Sequence, residues 1–159
     1  MGVSGSGKTV IGTLLARAVG VEFVEGDTYH PPANIEKMSA GIPLTDRDRE
    51  GWLHAIGQRI RRANENGEGV VVSCSALKRG YREMIRTDAG RVQFIFLRGD
   101  RTLIGDRIRG RKGHFMPASL LDSQFSALEE PSHDEDVWIV DIHESPDAIV
   151  ASLVDRASA

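Results

Sequence analysis

The chain has 159 residues, of which 40% are hydrophobic and 27% are charged, a composition typical of one globular domain with its own core. The formal net charge of −3 gives no overall basic footprint for nucleic acid, and no apolar stretch approaches membrane-spanning length. The single cysteine, Cys74, excludes an internal disulfide and suits a reducing compartment. The composition therefore predicts a cytoplasmic protein that binds neither nucleic acid nor membrane.

Residues 2–9 (GVSGSGKT) form a glycine-rich run that fits the phosphate-binding pattern G-x-x-x-x-G-K-[ST] at every fixed position. Glycines allow a tight loop whose N–H groups form a concave anion site, and the helix that follows directs its positive end at the same phosphates. Lys8 is predicted to reach the β- and γ-phosphates of a nucleotide, and the Thr9 hydroxyl to ligate Mg²⁺. The predicted nucleotide-binding residues of this loop are Gly2, Ser4, Gly5, Ser6, Gly7, Lys8 and Thr9. A flexible glycine-rich terminus is the simpler alternative, but so complete a match is rarely accidental.

A phosphate loop normally connects a buried strand to a helix, but here one residue, Met1, precedes Gly2. We therefore expect that an upstream run of about five to eight apolar, β-branched residues belongs to the natural protein. An N-terminally extended chain should accordingly be more stable than this one.

Helix-like and strand-like segments alternate along the chain, which predicts an α/β fold with a mostly parallel sheet. The predicted elements in chain order are a helix over 8–19, a strand over 21–25, a short helix over 34–39, a long helix from Thr45 or Asp46 to about 66, a strand over 69–73, a helix over 81–87, a strand over 92–97, an arginine-rich helix over 100–111, a helix over 118–128, a strand over 137–141 and a final helix opening at Ser145-Pro146. Right-handed crossovers place the carboxyl ends of parallel strands at one edge of the sheet. The segments that follow the first three strands should therefore converge near the phosphate loop.

Two carboxylates, Glu25 and Asp27, lie at and just after the end of the first predicted strand. Asp27 can face the γ-phosphate, where a carboxylate orients a substrate hydroxyl and accepts its proton during phosphoryl transfer. Glu25 points the same way along the strand and is predicted to hold a water of the Mg²⁺ shell. A turn residue after glycine is the alternative interpretation of Asp27.

His30 and Lys37 lie in the next segment, where a histidine near a carboxylate can donate to a hydroxylated or anionic substrate. A structural hydrogen bond is the commoner role for His30. Arg49 lies one turn into the long helix and can turn toward the pocket as a carboxylate clamp.

Further cations follow the next two strands. Lys78 and Arg82 come after the strand that ends near Ser75 and suit an anionic substrate, although surface solubility explains either residue equally well. Arg107 and Arg111 are four apart on one helix face, in a cationic stretch of the kind that closes over phosphates as a lid. A nucleic-acid patch is the alternative for this stretch, but it lacks interleaved aromatic residues.

The chain resembles the gluconate kinases of the small P-loop type, which are related to shikimate and nucleoside monophosphate kinases. The likeness is carried by residues 1–9 (MGVSGSGKT), 25–44 (EGDTYHPPANIEKMSAGIPL), 46–53 (DRDREGWL), 74–82 (CSALKRGYR) and 113–131 (GHFMPASLLDSQFSALEEP). The second and last of these segments are far more specific than the phosphate loop, which alone indicates only a nucleotide.

The resemblance implies ATP- and Mg²⁺-dependent phosphorylation of D-gluconate at its terminal hydroxyl, often by a homodimer. It implies a three-layer α/β P-loop kinase fold over 1–159, with a parallel sheet in the order 2-3-1-4-5, a small helical lid over about 107–124 and a substrate-binding segment over about 27–53. Because strand 1 is missing from this chain, a gap should open between 70–73 and 92–97.

The resemblance also assigns roles to individual residues. Lys8, Asp27 and Arg111 are implied as catalytic, and Arg107 and Arg111 as nucleotide-binding. The implied substrate-binding residues are Asp27, His30, Lys37, Arg49, Ser75, Lys78, Arg82, His114 and Gln124. A related kinase for shikimate or another hydroxy acid is one alternative, and a non-catalytic nucleotide-binding regulator is another. A GTPase switch is disfavoured because the sequence contains no N-K-x-D guanine signature.

Overall fold

The computed structural model describes residues 1–110 and 118–159, in which helices and strands alternate as predicted. The elements are α1 (Lys8–Val19), β1 (Glu22–Glu25), α2 (Pro32–Ser39), α3 (Asp46–Glu65), β2 (Val70–Ser73), α4 (Arg79–Ala89), β3 (Phe94–Arg98), α5 (Arg101–Arg109), α6 (Ala118–Ala127), β4 (Val137–Asp141) and α7 (Pro146–Ser158). Two short 3₁₀ helices, Gly26–Tyr29 and His133–Glu135, follow β1 and precede β4.

Local signals account for several of these boundaries. Thr45 caps α3, because its hydroxyl accepts the Asp48 N–H at 3.1 Å while the Asp48 carboxylate accepts the Thr45 N–H at 2.9 Å. This capping box settles the choice between Thr45 and Asp46. The helix predicted over 81–87 is longer in the structure, where α4 begins at Arg79 and ends at Ala89. Its first two residues, Arg79 and Gly80, are exposed, so the apolar pattern used for the prediction does not reach them.

The four strands form two separate parallel pairs in the described part of the chain. Strand β1 pairs with β2, with Glu22 opposite Val70, and β3 pairs with β4, with Phe94 opposite Val137. These pairs correspond to the neighbours 2-3 and 4-5 in the expected order 2-3-1-4-5. The predicted fold class is therefore confirmed.

Helices cover both faces of the strands, which gives the three layers predicted. On one side, Ile11 and Leu15 of α1 pack with Ile149 and Leu153 of α7. A second cluster lies on the other side, where Trp52, Ile56 and Ile60 of α3 pack with Tyr81 and Ile85 of α4. Among the helices of residues 1–110 and 118–159, none is both long and apolar enough to cross a membrane.

An apolar groove of about 730 Å³ separates β2 from β3, as the missing strand predicts. Met1 lies at one end of it and makes the bonds of a strand residue: its amine donates to the Ile95 carbonyl at 2.6 Å, and its carbonyl accepts the Leu97 N–H at 2.9 Å. Burial, together with the charge of nearby Lys8, lowers the pKa of this amine to about 5. The groove therefore offers two strand edges and an apolar lining to an additional strand.

We expect an extension of about five apolar, β-branched residues before Met1 to fill this groove and raise the thermal unfolding midpoint by at least about 5 °C. Each fully buried valine-sized side chain contributes about 1.5–3 kcal/mol, which more than offsets the cost of ordering the added backbone. Differential scanning calorimetry checks this, with a glycine-serine extension of equal length as the control. Equal midpoints for the two extensions would contradict the expectation.

Candidate active site

The phosphate loop precedes α1 and packs closely against α5. Gly5 has a φ of +80°, in the left-handed region that favours glycine. A Cβ added at Gly5 would lie 2.8 Å from Cγ1 of Ile108, so the loop also has no room for a side chain at this position. Gly5 is thus required by both backbone conformation and packing.

Two of the predicted nucleotide-binding cations lie beside this loop. The Lys8 amine donates to the carbonyls of Gly2 at 3.1 Å and Val3 at 3.0 Å, so the side chain folds back over the loop. Nη1 of Arg107 lies 4.0 Å from the position that a Cβ on Gly7 would occupy. Its other terminal nitrogen donates to the Ile142 carbonyl at 2.6 Å, which connects α5 to the segment after β4. A polyphosphate in the loop would therefore meet positive charge from both residues.

Thr9 and Glu25 are brought together at the start of α1 and the end of β1. The Thr9 hydroxyl donates to Oε2 of Glu25 at 2.7 Å, and the Ser73 hydroxyl donates to the other carboxylate oxygen. These hydroxyl and carboxylate oxygens are the hard donors that Mg²⁺ prefers. Across the described residues, no cluster of three or more His, Cys, Asp or Glu side chains is arranged to hold a metal. The donor set fits a Mg²⁺ ion that is completed by water and nucleotide phosphates.

Asp27 lies on the 3₁₀ turn immediately after this carboxylate, and its side chain is exposed. The turn itself is rigidly held, because the indole N–H of Trp52 donates to the Gly26 carbonyl at 2.8 Å. A Cβ added at Gly26 would lie 2.0 Å from the Ser73 carbonyl oxygen, so β2 packs directly against the turn. The backbone that carries Asp27 is therefore fixed at the same sheet edge as Thr9 and Glu25.

His30 is buried at the end of the same turn. Its ring stacks on Trp52, with centroids 4.1 Å apart and planes 16° from parallel, and its Nδ1 lies 3.2 Å from Nδ2 of Asn34. Burial lowers the pKa of His30, while the charge of Asp27 raises it and that of Arg49 lowers it. The imidazole is therefore neutral at pH 7, and with Nδ1 accepting from Asn34 its proton lies on Nε2.

Lys37 of α2 is paired with Asp48 of α3. Its amine lies 2.9 Å from both carboxylate oxygens. The hydrogen bonds from Lys37 and Thr45 hold the pKa of Asp48 at about 2. Asp48 therefore caps α3 and also fixes α2.

Arg49 and Lys78 are brought to the same aromatic ring. The Arg49 guanidinium carbon lies 5.8 Å and the Lys78 amine 5.6 Å from the ring centroid of Tyr81. Asp46 accepts hydrogen bonds from the Tyr81 hydroxyl and, at 2.9 Å, from Lys78. These two bonds lower the pKa of Asp46. Two of the cations predicted to bind an acidic substrate therefore form one cluster.

Arg82 takes a structural position instead of the substrate-binding position predicted for it. Its guanidinium is fully buried and makes two bonds to the Glu135 carboxylate, at 2.6 and 2.8 Å. Nη1 also donates to the carbonyls of Ala76 at 3.1 Å and Leu77 at 3.2 Å. Arg82 therefore fixes the chain after β2 and presents no exposed donor to a substrate.

The remaining predicted residues lie at the loop or outside the described chain. The Ser75 carbonyl accepts the Gly2 N–H at 3.1 Å, and Oε1 of Gln124 accepts the Ser4 N–H at 2.6 Å. Arg111 and His114, and with them the centre of the predicted lid over 107–124, lie outside the described residues.

Sequence reasoning missed several residues that build the site. They are Asn34, Asp46, Trp52, Tyr81 and Glu135. The four-residue spacing of His30 and Asn34 was the one local signal available, although His30 lies before α2 and only Asn34 lies on it. The others make contacts to distant segments: Trp52 donates to Gly26, Tyr81 donates to Asp46, and Glu135 accepts from Arg82.

Comparisons with known proteins agree with this architecture. A family model described as shikimate kinase matches residues 4–157. A gluconokinase from Gluconobacter oxydans (strain 621H) is 48% identical over 154 residues, which covers 97% of this chain and 86% of that protein. The chain belongs to the gluconokinase family. It is thus a kinase, and the regulator alternative is not favoured.

Two solved structures are similar in fold to this gluconokinase-family chain. A gluconokinase from Sinorhizobium meliloti 1021 superimposes with a TM-score of 0.87 at 46% identity, covering 99% of this chain and 93% of that one. An unliganded sugar kinase from Janibacter sp. HTCC2649 gives a TM-score of 0.91 at 42% identity, covering 98% of this chain and 90% of that one. As a kinase of this family, the protein uses a nucleotide, which the phosphate loop accommodates.

Proposed function

We propose that the protein transfers the γ-phosphate of ATP to the terminal hydroxyl of D-gluconate, giving 6-phospho-D-gluconate. The observation that carries this proposal is the near-full-length identity to a gluconokinase at 48%. The site geometry supports it, because the structure combines a phosphate loop with an acid on a rigid turn after β1 and a cation cluster at Tyr81.

At the nucleotide end, the loop amides that make no bond to the described residues, such as those of Gly5 and Gly7, and the side chains of Lys8 and Arg107 bind the phosphates. Thr9 would hold Mg²⁺ directly and Glu25 would hold it through water. When bound, the ion offsets the charge of the β- and γ-phosphates. Arg111 is proposed to add a further cation from outside the described residues.

At the substrate end, Asp27 holds the terminal hydroxyl and accepts its proton as the bond to phosphorus forms. Gluconate is a polyol with one carboxylate, so it requires cations at one end and hydrogen-bonding groups along its length. The Arg49–Lys78 pair at Tyr81 fits the carboxylate, and His30 and Lys37 lie on the segment between the two ends. We keep Ser75 and His114 as predicted contacts. We omit Arg82, which is buried, and Gln124, whose side-chain oxygen accepts the Ser4 N–H.

A coupled assay for 6-phosphogluconate tests the proposal. The panel contains D-gluconate, shikimate and other small hydroxy acids, each with ATP and Mg²⁺. We expect turnover with gluconate at a kcat/KM far above that with the other acids. Turnover with a different acid alone would overturn the choice of substrate, and ATP binding without any turnover would favour a regulator.

Changing Lys8 to alanine should raise the KM for ATP and lower kcat together, by on the order of tenfold or more in kcat/KM. The reason is that this amine contacts phosphate in both the ground state and the transition state. Steady-state kinetics with gluconate checks the expectation, and Arg156→Ala on the exposed side of α7 is the control for loss of a cation. An unchanged KM for ATP in Lys8→Ala would argue against phosphate contact.

The resemblance also implies a homodimer in the cytoplasm, and both remain predictions. Light scattering coupled to gel filtration tests the first. A mass equal to one chain at micromolar concentration would contradict it.

A further inference from the structure

Some backbone N–H groups of the phosphate loop are bonded to other described residues, and others are not. Three of them are bonded to the protein: Gly2 to the Ser75 carbonyl at 3.1 Å, Ser4 to the Gln124 side chain at 2.6 Å, and Ser6 to the Val3 carbonyl at 3.2 Å. Two of these bonds join main-chain atoms, and the third uses a side chain. Gln124 is therefore the anchor that a substitution can remove.

Other backbone N–H groups of the loop make no bond to the described residues. In the part of the chain that the structure describes, the N–H groups of Gly5, Gly7 and Thr9 have no hydrogen-bond partner. Unpaired backbone donors at the start of a helix form an anion site. The bond from the Ser4 N–H to Gln124 thus fixes the backbone next to Gly5, whose N–H stays available to a phosphate.

The helix that carries Gln124 is itself firmly held. Leu121 is buried against α5, and Arg101 of α5 pairs with Asp122 and lies 5.1 Å above the ring of Phe125. At the other end of α6, the Glu129 N–H donates to the Leu77 carbonyl at 2.8 Å. A helix fixed on two sides can hold one loop amide in a defined direction.

We propose that Gln124 is a positioning residue for phosphoryl transfer, whose side-chain oxygen fixes the Ser4 amide and so orients the phosphate loop. The proposal rests on the kinase function proposed above. It assigns Gln124 to the nucleotide end of the site, whereas the sequence assigned it to the substrate. Misplacement of a reacting phosphate by an ångström can lower a rate by two orders of magnitude, so one such anchor can influence turnover strongly.

Gln124→Met tests the proposal, because methionine has a similar length but a thioether that is at best a weak acceptor. We expect the affinity for ADP, measured by titration calorimetry, to fall about threefold to tenfold, as loss of one hydrogen bond implies. With gluconate and ATP, we expect kcat to fall about tenfold or more while the KM for gluconate stays within about twofold. Gln58→Met, at an exposed position of α3, is the matched control and should change none of these values.

Two outcomes would overturn the proposal. A raised KM for gluconate with unchanged ADP affinity would show direct substrate contact, and no change in any value would show that the bond to Ser4 is dispensable. The ADP titration does not need turnover, so it decides the role of Gln124 even if the wild-type protein fails to phosphorylate gluconate.

Amide hydrogen exchange in the wild-type protein gives an answer that does not depend on any variant folding. The Ser4 amide should exchange at least about tenfold more slowly than those of Gly5 and Gly7, since only the first is bonded. Equal exchange at the three amides would overturn the proposal.

Discussion

Replacing Asp27 with asparagine should lower kcat with gluconate by on the order of 10² or more, while ATP still binds. Asparagine keeps the size and shape of the side chain but cannot accept the proton of the substrate hydroxyl. The loss is expected in the chemical step, because the hydroxyl can still donate a hydrogen bond to the amide oxygen. The KM for ATP should stay within about twofold, since Asp27 follows β1 and not the phosphate loop.

The folded state should tolerate this change. The Asp27 side chain is exposed, and the turn that carries it is held by the Trp52–Gly26 bond and by the contact of Gly26 with β2. The main-chain bond from the His30 N–H to the Asp27 carbonyl, at 3.2 Å, is also unaffected by the substitution. The unfolding midpoint is therefore expected to match that of the wild-type protein.

Steady-state kinetics and a nucleotide-binding titration check the prediction together. Asp155→Asn, at an exposed position of α7, removes the same charge far from the phosphate loop and should leave kcat unchanged. Near-normal turnover in Asp27→Asn would remove this carboxylate from the mechanism. Loss of ATP binding would instead show that Asp27 supports the nucleotide site.

Local sequence signals were sufficient for the elements and for the phosphate loop. The bounds of α1 and β4 match the predicted bounds, because an apolar stripe and a capping glycine mark the first and an isolated apolar run marks the second. The gap between β2 and β3 could also be predicted, since a phosphate loop implies the strand that should fill it.

Contacts between distant segments could not be predicted in the same way. Tyr81 and Asp46 are 35 residues apart, and nothing in either segment indicates that their side chains meet. The sequence around Arg82 is that of a polar helix start, so it gives no sign that the guanidinium is fully buried. Such pairings arise from the packing of α3, α4 and the segment before β4, and a single sequence contains no periodic signal for them.

Of the substitutions discussed, breaking the buried Arg82–Glu135 pair should lower the stability of the fold most. We expect Glu135→Gln to lower the free energy of unfolding by about 3–5 kcal/mol, because the charge that balances a fully buried guanidinium is lost. Glutamine has the same size as glutamate, but its NH₂ group would face the donors of Arg82. Urea unfolding followed by circular dichroism measures the difference.

The neighbouring residue offers a matched control. Asp134 pairs with Arg79 at 2.8 Å on the surface, where both side chains are largely exposed. Water and salt screen such pairs, so Asp134→Asn should change the unfolding midpoint little. A similar loss of stability in both variants would show that burial does not distinguish the two ion pairs.

The pH dependence of stability provides an independent check on the same pair. The hydrogen bonds from Arg82 hold the pKa of Glu135 below its ordinary value. A carboxylate whose pKa is lower in the folded state than in the unfolded state stabilises the fold at neutral pH, and this contribution is lost as the pH falls through the folded-state pKa. Glu135→Gln has no such group, so the gap in stability between it and the wild-type protein should narrow below about pH 4. A gap that stays constant from pH 7 to the acid limit would mean that the lost stability comes from packing around residue 135 and not from its charge.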